Sequence, residues 1–369
     1  MRALHVNTHV NTGGIGQYIA SLTKALKRKG VDCIVASSGG DLETELNKNG
    51  IKHIYINLNT KSELSPKVLM SVFTLADDIV KKEKIDLIHA HSRVSQVSSF
   101  FASRRAGIPY VTTCHGYFKK RFGRLFFDTW GEKVIAISGA VRMHLEKDFG
   151  IKEERIELIY NGIDIDRFSS IYSPEDILNV KKKLLLKEGP VIGTMGRLSS
   201  VKGQKFLIEA MRHVISKRND VQCLIIGSGP EEKILKKQAD DLGIASSISF
   251  MQSSYADIPL YLSSMDVFVL PSIAEGLGLA LLEAMSMGKP CIGSDIGGIK
   301  DIIEEGVNGL TVPVGNEKAI ADAVIKLLDD RALAQKLGTK AKEVVKERFL
   351  LDSMAEKVSH LYREVINAR

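Results

Sequence analysis

A chain of 369 residues with 44% apolar and 26% charged side chains has the make-up of a soluble globular protein of about two domains, each able to bury its own core. No apolar run approaches the roughly 18 residues of a membrane span, and the four scattered cysteines, three of them in strand-like runs, argue for reduced core thiols against a disulfide framework or a zinc site. The formal net charge of +7 lies wholly in the first half: residues 1–170 hold 25 Lys+Arg against 18 Asp+Glu, residues 171–369 hold 26 of each, so an anionic partner is expected on that side.

The start, MRALHVN, reads as a buried strand, so no signal peptide is expected, and the reduced thiols lead one to expect a cytoplasmic chain. It runs into the glycine loop THVNTGGIG and an amphipathic helix over 16–29. The strand runs CIVA, HIYI, LIHA, YVTT, VIAI and IELI follow, with a second helical segment over 66–83. His89 and His91 lie two apart on one strand face, which could suggest a metal; with no third ligand nearby, none is expected. After the run that ends at His115-Gly116 comes YFKKRFGRLFFDTW, residues 117–130. On a helix, Phe118, Phe122, Phe126 and Trp130 form an aromatic stripe beside Lys119, Lys120, Arg121 and Arg124, the pattern of a segment lying in an anionic membrane interface. The joint falls at 160–190, opening on the turn signal Asn161-Gly162.

The second half repeats the rhythm with VIGTM, QCLIIG, ISFM, VFVL and PCIG, and closes with a helical stretch over 330–366. Such alternation means βαβ units: an α/β chain of two Rossmann-like, doubly wound domains facing across a cleft, with ligands beyond the carboxyl ends of the strands. The expected bounds are 1–165 for an acceptor-binding domain, 166–189 for a linker, 190–345 for a donor-binding domain, and 346–369 for a helix packing back on the first domain. A nicotinamide fold is not supported. Gly14-Ile15-Gly16 is followed at the third position by Ile19, Gly227-Ser228-Gly229 by Glu232, and the second strand ends without an acid to hold a ribose.

Three features of the second half carry chemistry. Arg197 sits just past a strand end and Lys202 at the start of the next helix, so a planar guanidinium and a mobile ammonium share one loop that can reach a diphosphate. In PSIAEGLGLALLEAM, Glu275 and Glu283 are eight residues apart. On one helix that is about 12 Å, too far for a glycosidase pair at roughly 5–9.5 Å. They read as acceptors for two parts of a long polyhydroxylated ligand, with Gly276 and Gly278 freeing the backbone between them. The helix start there favours a phosphate.

With Gly288, Pro290 and Gly297-Gly298 in order behind it, that stretch resembles the signature of glycosyltransferase family 4, the retaining GT-B enzymes that use nucleotide sugars. The likeness takes in Gly13-Gly14, His89…His91-Ser92, Thr113-Cys114-His115-Gly116, residues 138–140, Asn161-Gly162-Ile163-Asp164 and Gly196-Arg197-Leu198…Lys202-Gly203. It implies that Glu275 accepts from the donor sugar's hydroxyls and Glu283 from the ribose. Arg197 and Lys202 would neutralise the diphosphate, the amides near Gly278 and Leu279 with Gly14 would complete the anion cradle, and His115 would position the sugar. Where the family often has Gly-Gly-x-Pro-Glu, this chain has Gly297-Gly298-Ile299-Lys300-Asp301, and Asp301 is left out of the site.

The implied reaction is metal-independent transfer of a hexose-type unit with retention, by same-face attack in which the departing phosphate oxygen takes the acceptor's proton. The cleft would close to exclude water. No cofactor is expected beyond the donor, for which the reading leans to a UDP-sugar. The partners are a glycan or lipid-linked acceptor of a bacterial envelope, as in lipopolysaccharide synthesis, and an anionic membrane at the inner face, with no nucleic acid. A nucleotide-sugar epimerase of the same fold and a non-catalytic sugar-nucleotide-binding protein stay open as alternatives.

Overall fold

Strand runs buried on both faces cannot alternate with amphipathic helices without stacking into parallel sheets covered on each side. The computed structural model describes residues 1–60, 62–63, 65–118, 128–170, 172–184, 186–252 and 255–368. It divides into two units, one of Met1–Gly162 with Leu351–Arg369 and the other of Ile163–Leu350. Each is built on one parallel sheet. Among the described residues no helix is long and apolar enough to cross a membrane.

In the first unit the strands are β1 (Arg2–Val6), β2 (Asp32–Ser37), β3 (Lys52–Tyr55), β4 (Leu87–Ala90), β5 (Tyr110–Cys114), β6 (Lys133–Ala136) and β7 (Ile156–Leu158), in the order 3-2-1-4-5-6-7. Strand order reverses between β1 and β4, the place where open α/β sheets put ligands. The two faces of the sheet are read off the period-2 alternation along β1. Leu4 and Val6 pack with Ile88 and with Leu75 and Ile79 of the 66–83 segment. Ala3 packs with Leu22, Leu26, Val111 and Ile135. That second face is covered by α1 (Gly14–Arg28) and by a helix from the far end of the sequence, Leu351–Asn367. Leu351, Met354, Ala355, Val358, Leu361, Tyr362 and Val365 recur at three- and four-residue steps and are all buried there. Exposed ion pairs at the rim, Arg28–Asp352 and Lys133–Glu364, add a few tenths of a kcal/mol each at most.

The 66–83 segment is not one regular helix. Pro66–Phe73 is α-helical, Thr74–Val80 widens to π winding, and Lys81–Glu83 ends at Lys84 with φ 52°.

In the second unit β8 (Val191–Met195), β9 (Gln222–Ile226), β10 (Ile248–Met251), β11 (Val267–Leu270), β12 (Cys291–Ser294) and β13 (Leu310–Val312) run in the order 10-9-8-11-12-13. The reversal here lies between β8 and β11. The final 330–366 stretch is two helices, Arg331–Arg348 and Leu351–Asn367, and the break between them is where the chain returns to the first unit. Ile163 and Leu350, the two ends of the second unit, pair side by side, with the Ile163 N–H donating to Phe349 O at 2.7 Å.

Of the expected membrane segment, Lys119, Lys120, Arg121, Phe122 and Arg124 lie outside the described residues. Trp130 does not belong to an exposed stripe. It is 3% exposed and packs on Phe118 and Phe149, with ring centroids 5.8 and 5.4 Å away. A large aromatic that finds a core site buries far more surface than a solvent-facing stripe would allow.

Candidate active site

At the β8/β11 reversal of the second unit, four loops are fastened backbone to backbone. Gly196 N–H donates to Ile226 O at 2.9 Å, Leu198 N–H to Ser228 O at 2.9 Å, Ile273 N–H to Val201 O at 2.8 Å, and Gly298 N–H to Glu275 O at 3.1 Å. Two glycines are there because nothing larger fits. A Cβ on Gly227 would sit 2.0 Å from Gly196 O, and one on Gly298 would sit 2.1 Å from Gly276 O. The glycine pairs of the sequence therefore act by letting loops touch, beyond making turns.

This fastening sets the charged groups. Lys202 lies in a 3₁₀ turn, Ser200–Lys202, ahead of the helix Gln204–Lys217 and not inside it. Its Nζ donates to Glu275 Oε2 at 2.6 Å, and Ser272 Oγ donates to the same oxygen at 3.2 Å. The lysine side chain is 28% and the glutamate side chain 12% exposed. Arg197 is exposed, and its carbonyl is held by Gln204 Nε2 at 3.1 Å. The helix Leu279–Ser286 starts at Gly278, φ 107°, a backbone that favours glycine. Glu283 is buried in that helix. Arg197, Lys202, Glu275, Gly278, Leu279 and Glu283 thus all lie on or just after the loops that follow β8 and β11. Two cations, two carboxylates and a helix N-terminus can bind an anion at one end and hydroxyls at the other.

The first unit carries Gly14 and His115. A Cβ on Gly14 would meet nothing within 4 Å, so its surroundings are open. On the same helix Gln17 is buried, with neither amide atom hydrogen-bonded among the described residues, and Asn7 Oδ1 has no partner among them either. Neither was singled out in the sequence, where a Gln inside a helical period and an Asn after a strand carry no signal of their own. His115 follows β5, with Tyr18 edge-on at 4.6 Å between ring centroids.

His89 and His91 have a third histidine near them after all. His5 pairs in register with His89 across β1 and β4, and ligating atoms of His5, His89 and His91 lie within 4.8 Å of one another. All three are buried. Among the described residues their side-chain hydrogen-bond partners are one another, His115, Tyr362 and Thr113, which are all uncharged as neutral rings and hydroxyls. A cation placed among them would lack a counter-charge, which a buried site tolerates poorly.

Burial holds His5 down to about 3, and burial with repulsion from neighbouring rings holds His89 and His91 well below 6.5. Between pH 6.5 and about 3 the unfolded chain therefore binds more protons than the folded one. The stability these rings allow is whole above pH 6.5 and falls on acidification, by about 1.4 kcal/mol per pH unit for each histidine fully in the window. The urea midpoint is expected to drop steeply from pH 6.5 to pH 5; a flat profile over that range would mean the rings are not buried neutral.

Residues 12–167 match the model described as Glycosyltransferase Family 4, and residues 176–344 match Glycosyl transferases group 1. An Escherichia coli UDP-Gal:alpha-D-GlcNAc-diphosphoundecaprenol alpha-1,3-galactosyltransferase is 30% identical over 81% of this chain and 80% of its own. The N-acetyl-alpha-D-glucosaminyl L-malate synthase of Bacillus anthracis is 26% identical over 98% of this chain and 96% of its own. A crystal structure of a glycosyltransferase from Rickettsia africae superposes with a TM-score of 0.86 at 27% identity, covering 99% of this chain and 98% of that one.

Proposed function

The chain belongs to glycosyltransferase family 4 and is a glycosyltransferase of the GT-B fold, and from that premise we propose that it moves a hexose-type sugar from a nucleotide diphosphate sugar to a hydroxyl of a glycan or lipid-linked acceptor, with retention and without a metal. The observation that carries this is the cluster after β8 and β11, where Lys202 and Glu275 meet beside Arg197 and the Gly278 helix start. In this reading the cations hold the diphosphate and the charge that grows on it as the glycosidic bond breaks. Glu275 takes the sugar hydroxyls and Glu283 the ribose. No side chain is assigned as nucleophile; the departing phosphate oxygen accepts the acceptor's proton. From the first unit, Gly14 lends its amide to the anion and His115 positions the sugar.

A UDP-sugar is the proposed donor. The relative from Escherichia coli is named for a UDP-galactose donor and a diphosphoundecaprenol-linked acceptor, and an Anabaena HepE of the same fold was solved with UDP-glucose. A lipid-linked acceptor fits a basic first half, so the proposal includes peripheral contact with an anionic membrane at the cytoplasmic face. A thermal-shift screen of UDP, GDP and ADP, followed by transfer assays with the sugars of the best binder, tests the donor reading, since a ligand that binds the folded state raises the midpoint by mass action. UDP giving no shift while GDP or ADP does would overturn the base. The membrane reading requires co-sedimentation with anionic vesicles that is lost in high salt.

A further inference from the structure

Five links join four imidazoles and two hydroxyls of the first unit end to end. Thr113 Oγ1 lies 2.7 Å from His89 Nε2, and His89 Nδ1 lies 2.5 Å from Tyr362 Oη. Tyr362 Oη is 3.5 Å from His5 Nε2, His5 Nδ1 is 3.0 Å from His91 Nε2, and His91 Nδ1 is 3.4 Å from His115 Nε2. At the far end Tyr18 Oη is 3.5 Å from Thr113 Oγ1. The sheet makes this possible. His5, His89, His91, Thr113 and His115 continue, at period two, the apolar face of Ala3, Leu87 and Val111, and Tyr18 and Tyr362 come down on it from its two covering helices.

A neutral imidazole has one N–H and one lone pair, so a ring that accepts at one nitrogen must donate at the other. Thr113 and Tyr362 are buried, at 4% and 0% exposed, so each spends its single O–H inside the chain, which then has only two registers. Tyr18 decides between them. It is 3% exposed and Thr113 is its hydrogen-bond partner among the described residues. A buried phenol left without an acceptor is costly, so Tyr18 donates to Thr113, Thr113 donates to His89 Nε2, and His89 donates from Nδ1 to Tyr362. Tyr362 then donates to His5 Nε2, His5 from Nδ1 to His91 Nε2, and His91 from Nδ1 to His115 Nε2. His115 is left with its proton on Nδ1. Its ring is the partly exposed end of the series, while the other three are buried.

We propose that Tyr18, Thr113, His89, Tyr362, His5 and His91 are positioning residues that hold His115 as a neutral Nδ1–H tautomer, so that it meets its substrate as a hydrogen-bond donor to a sugar or phosphate oxygen and not as a base. The functional half of this rests on the assignment of His115 to the donor sugar. No proton is transferred in the step; the chain only fixes which nitrogen carries it.

The test is nitrogen-15 NMR of ring-labelled histidine in the free full-length protein, paired with kinetics of Tyr362→Phe. That change keeps the ring's shape and cuts the chain three links from His115. In the wild type, His115 is expected to show a protonated Nδ1 and an accepting Nε2. In Tyr362→Phe, His115 is expected to become a mixture of tautomers, with kcat about tenfold lower and nucleotide affinity within twofold of wild type. Wild-type His115 protonated on Nε2 would overturn the assigned register. A scrambled tautomer with unchanged kcat would overturn the positioning role alone. Stoichiometric binding of added zinc with loss of the His5, His89 and His91 signals would mean the rings form a metal site, and would overturn the proposal as a whole. Because the spectrum is taken without substrate, it fails separately from the assignment of His115 to the sugar.

Discussion

Lys202→Ala is expected to slow sugar transfer by a hundredfold or more, about 2.7 kcal/mol of lost transition-state stabilisation. The size follows from two losses at once. The ammonium that would meet the diphosphate goes, and Glu275, 12% exposed and bonded to that ammonium at 2.6 Å, is left among the described residues with its side-chain bond from Ser272. Arg197→Ala should cost a similar order, because its exposed guanidinium is assigned to the same diphosphate charge. Lys202 and Glu275 neutralise each other in the free protein, so a donor has to draw the ammonium toward its phosphates and leave the carboxylate to its hydroxyls. The combined Lys202→Ala, Glu275→Gln variant should then lose less than the two single losses added together, with a coupling of at least about 0.5 kcal/mol. Single-turnover rates for the four proteins measure it. Additive losses would mean that the two side chains act independently and that the bond between them has no part in the reaction, and a strict need for a divalent metal would remove the reason for assigning these cations to the phosphates.

Glu283→Ala is expected to weaken nucleoside diphosphate binding by roughly ten- to a hundredfold, the range for a lost hydrogen bond to a charged group at about 1.5–3 kcal/mol. Glu283 is 6% exposed, on a helix whose other residues are mostly buried, so it can move little to compensate. Glu275→Gln should act differently. It leaves the nucleotide's affinity nearly unchanged and lowers turnover, since the residue is assigned to the sugar that free nucleotide lacks. Calorimetry with UDP, alongside transfer rates, separates the two; equal losses of affinity in both variants would end the division of labour between the glutamates.

How far such a site can be read from sequence depends on the range over which its parts are specified. The strand runs and the two glutamates with their glycines are local patterns, and their elements formed where the sequence placed them. Strand β13 went unseen because Leu310–Val312 is three residues long, with a proline next, too short for any period to show. Lys202 was placed in a helix because a 3₁₀ turn has no hydrophobic period to distinguish it from a first helical turn. The Lys202–Glu275 bond spans 73 positions and the Tyr362–His5 contact spans 357, so neither leaves a mark within a sequence window. His5 looked like one more strand residue until the register of β1 against β4 set it opposite His89. Trp130 misled for the complementary reason: a stripe at four-residue steps describes a helix face equally well whether water, lipid or protein covers it.

The return of Leu351–Asn367 to the first unit has a consequence for biosynthesis. Met354, Ala355, Val358, Leu361, Tyr362 and Val365 belong to the core that Ala3, Leu22 and Leu26 begin. During translation, residues 1–162 emerge with that core open on one side, and it cannot close until the whole of residues 163–350 has been made. At about 5–20 residues per second, that interval is on the order of ten to forty seconds. The second unit, contiguous in sequence, has no such wait. The part of the molecule synthesised first is therefore the last to finish folding, and a nascent chain stalled before residue 351 presents the apolar side of α1 to solvent and to chaperones.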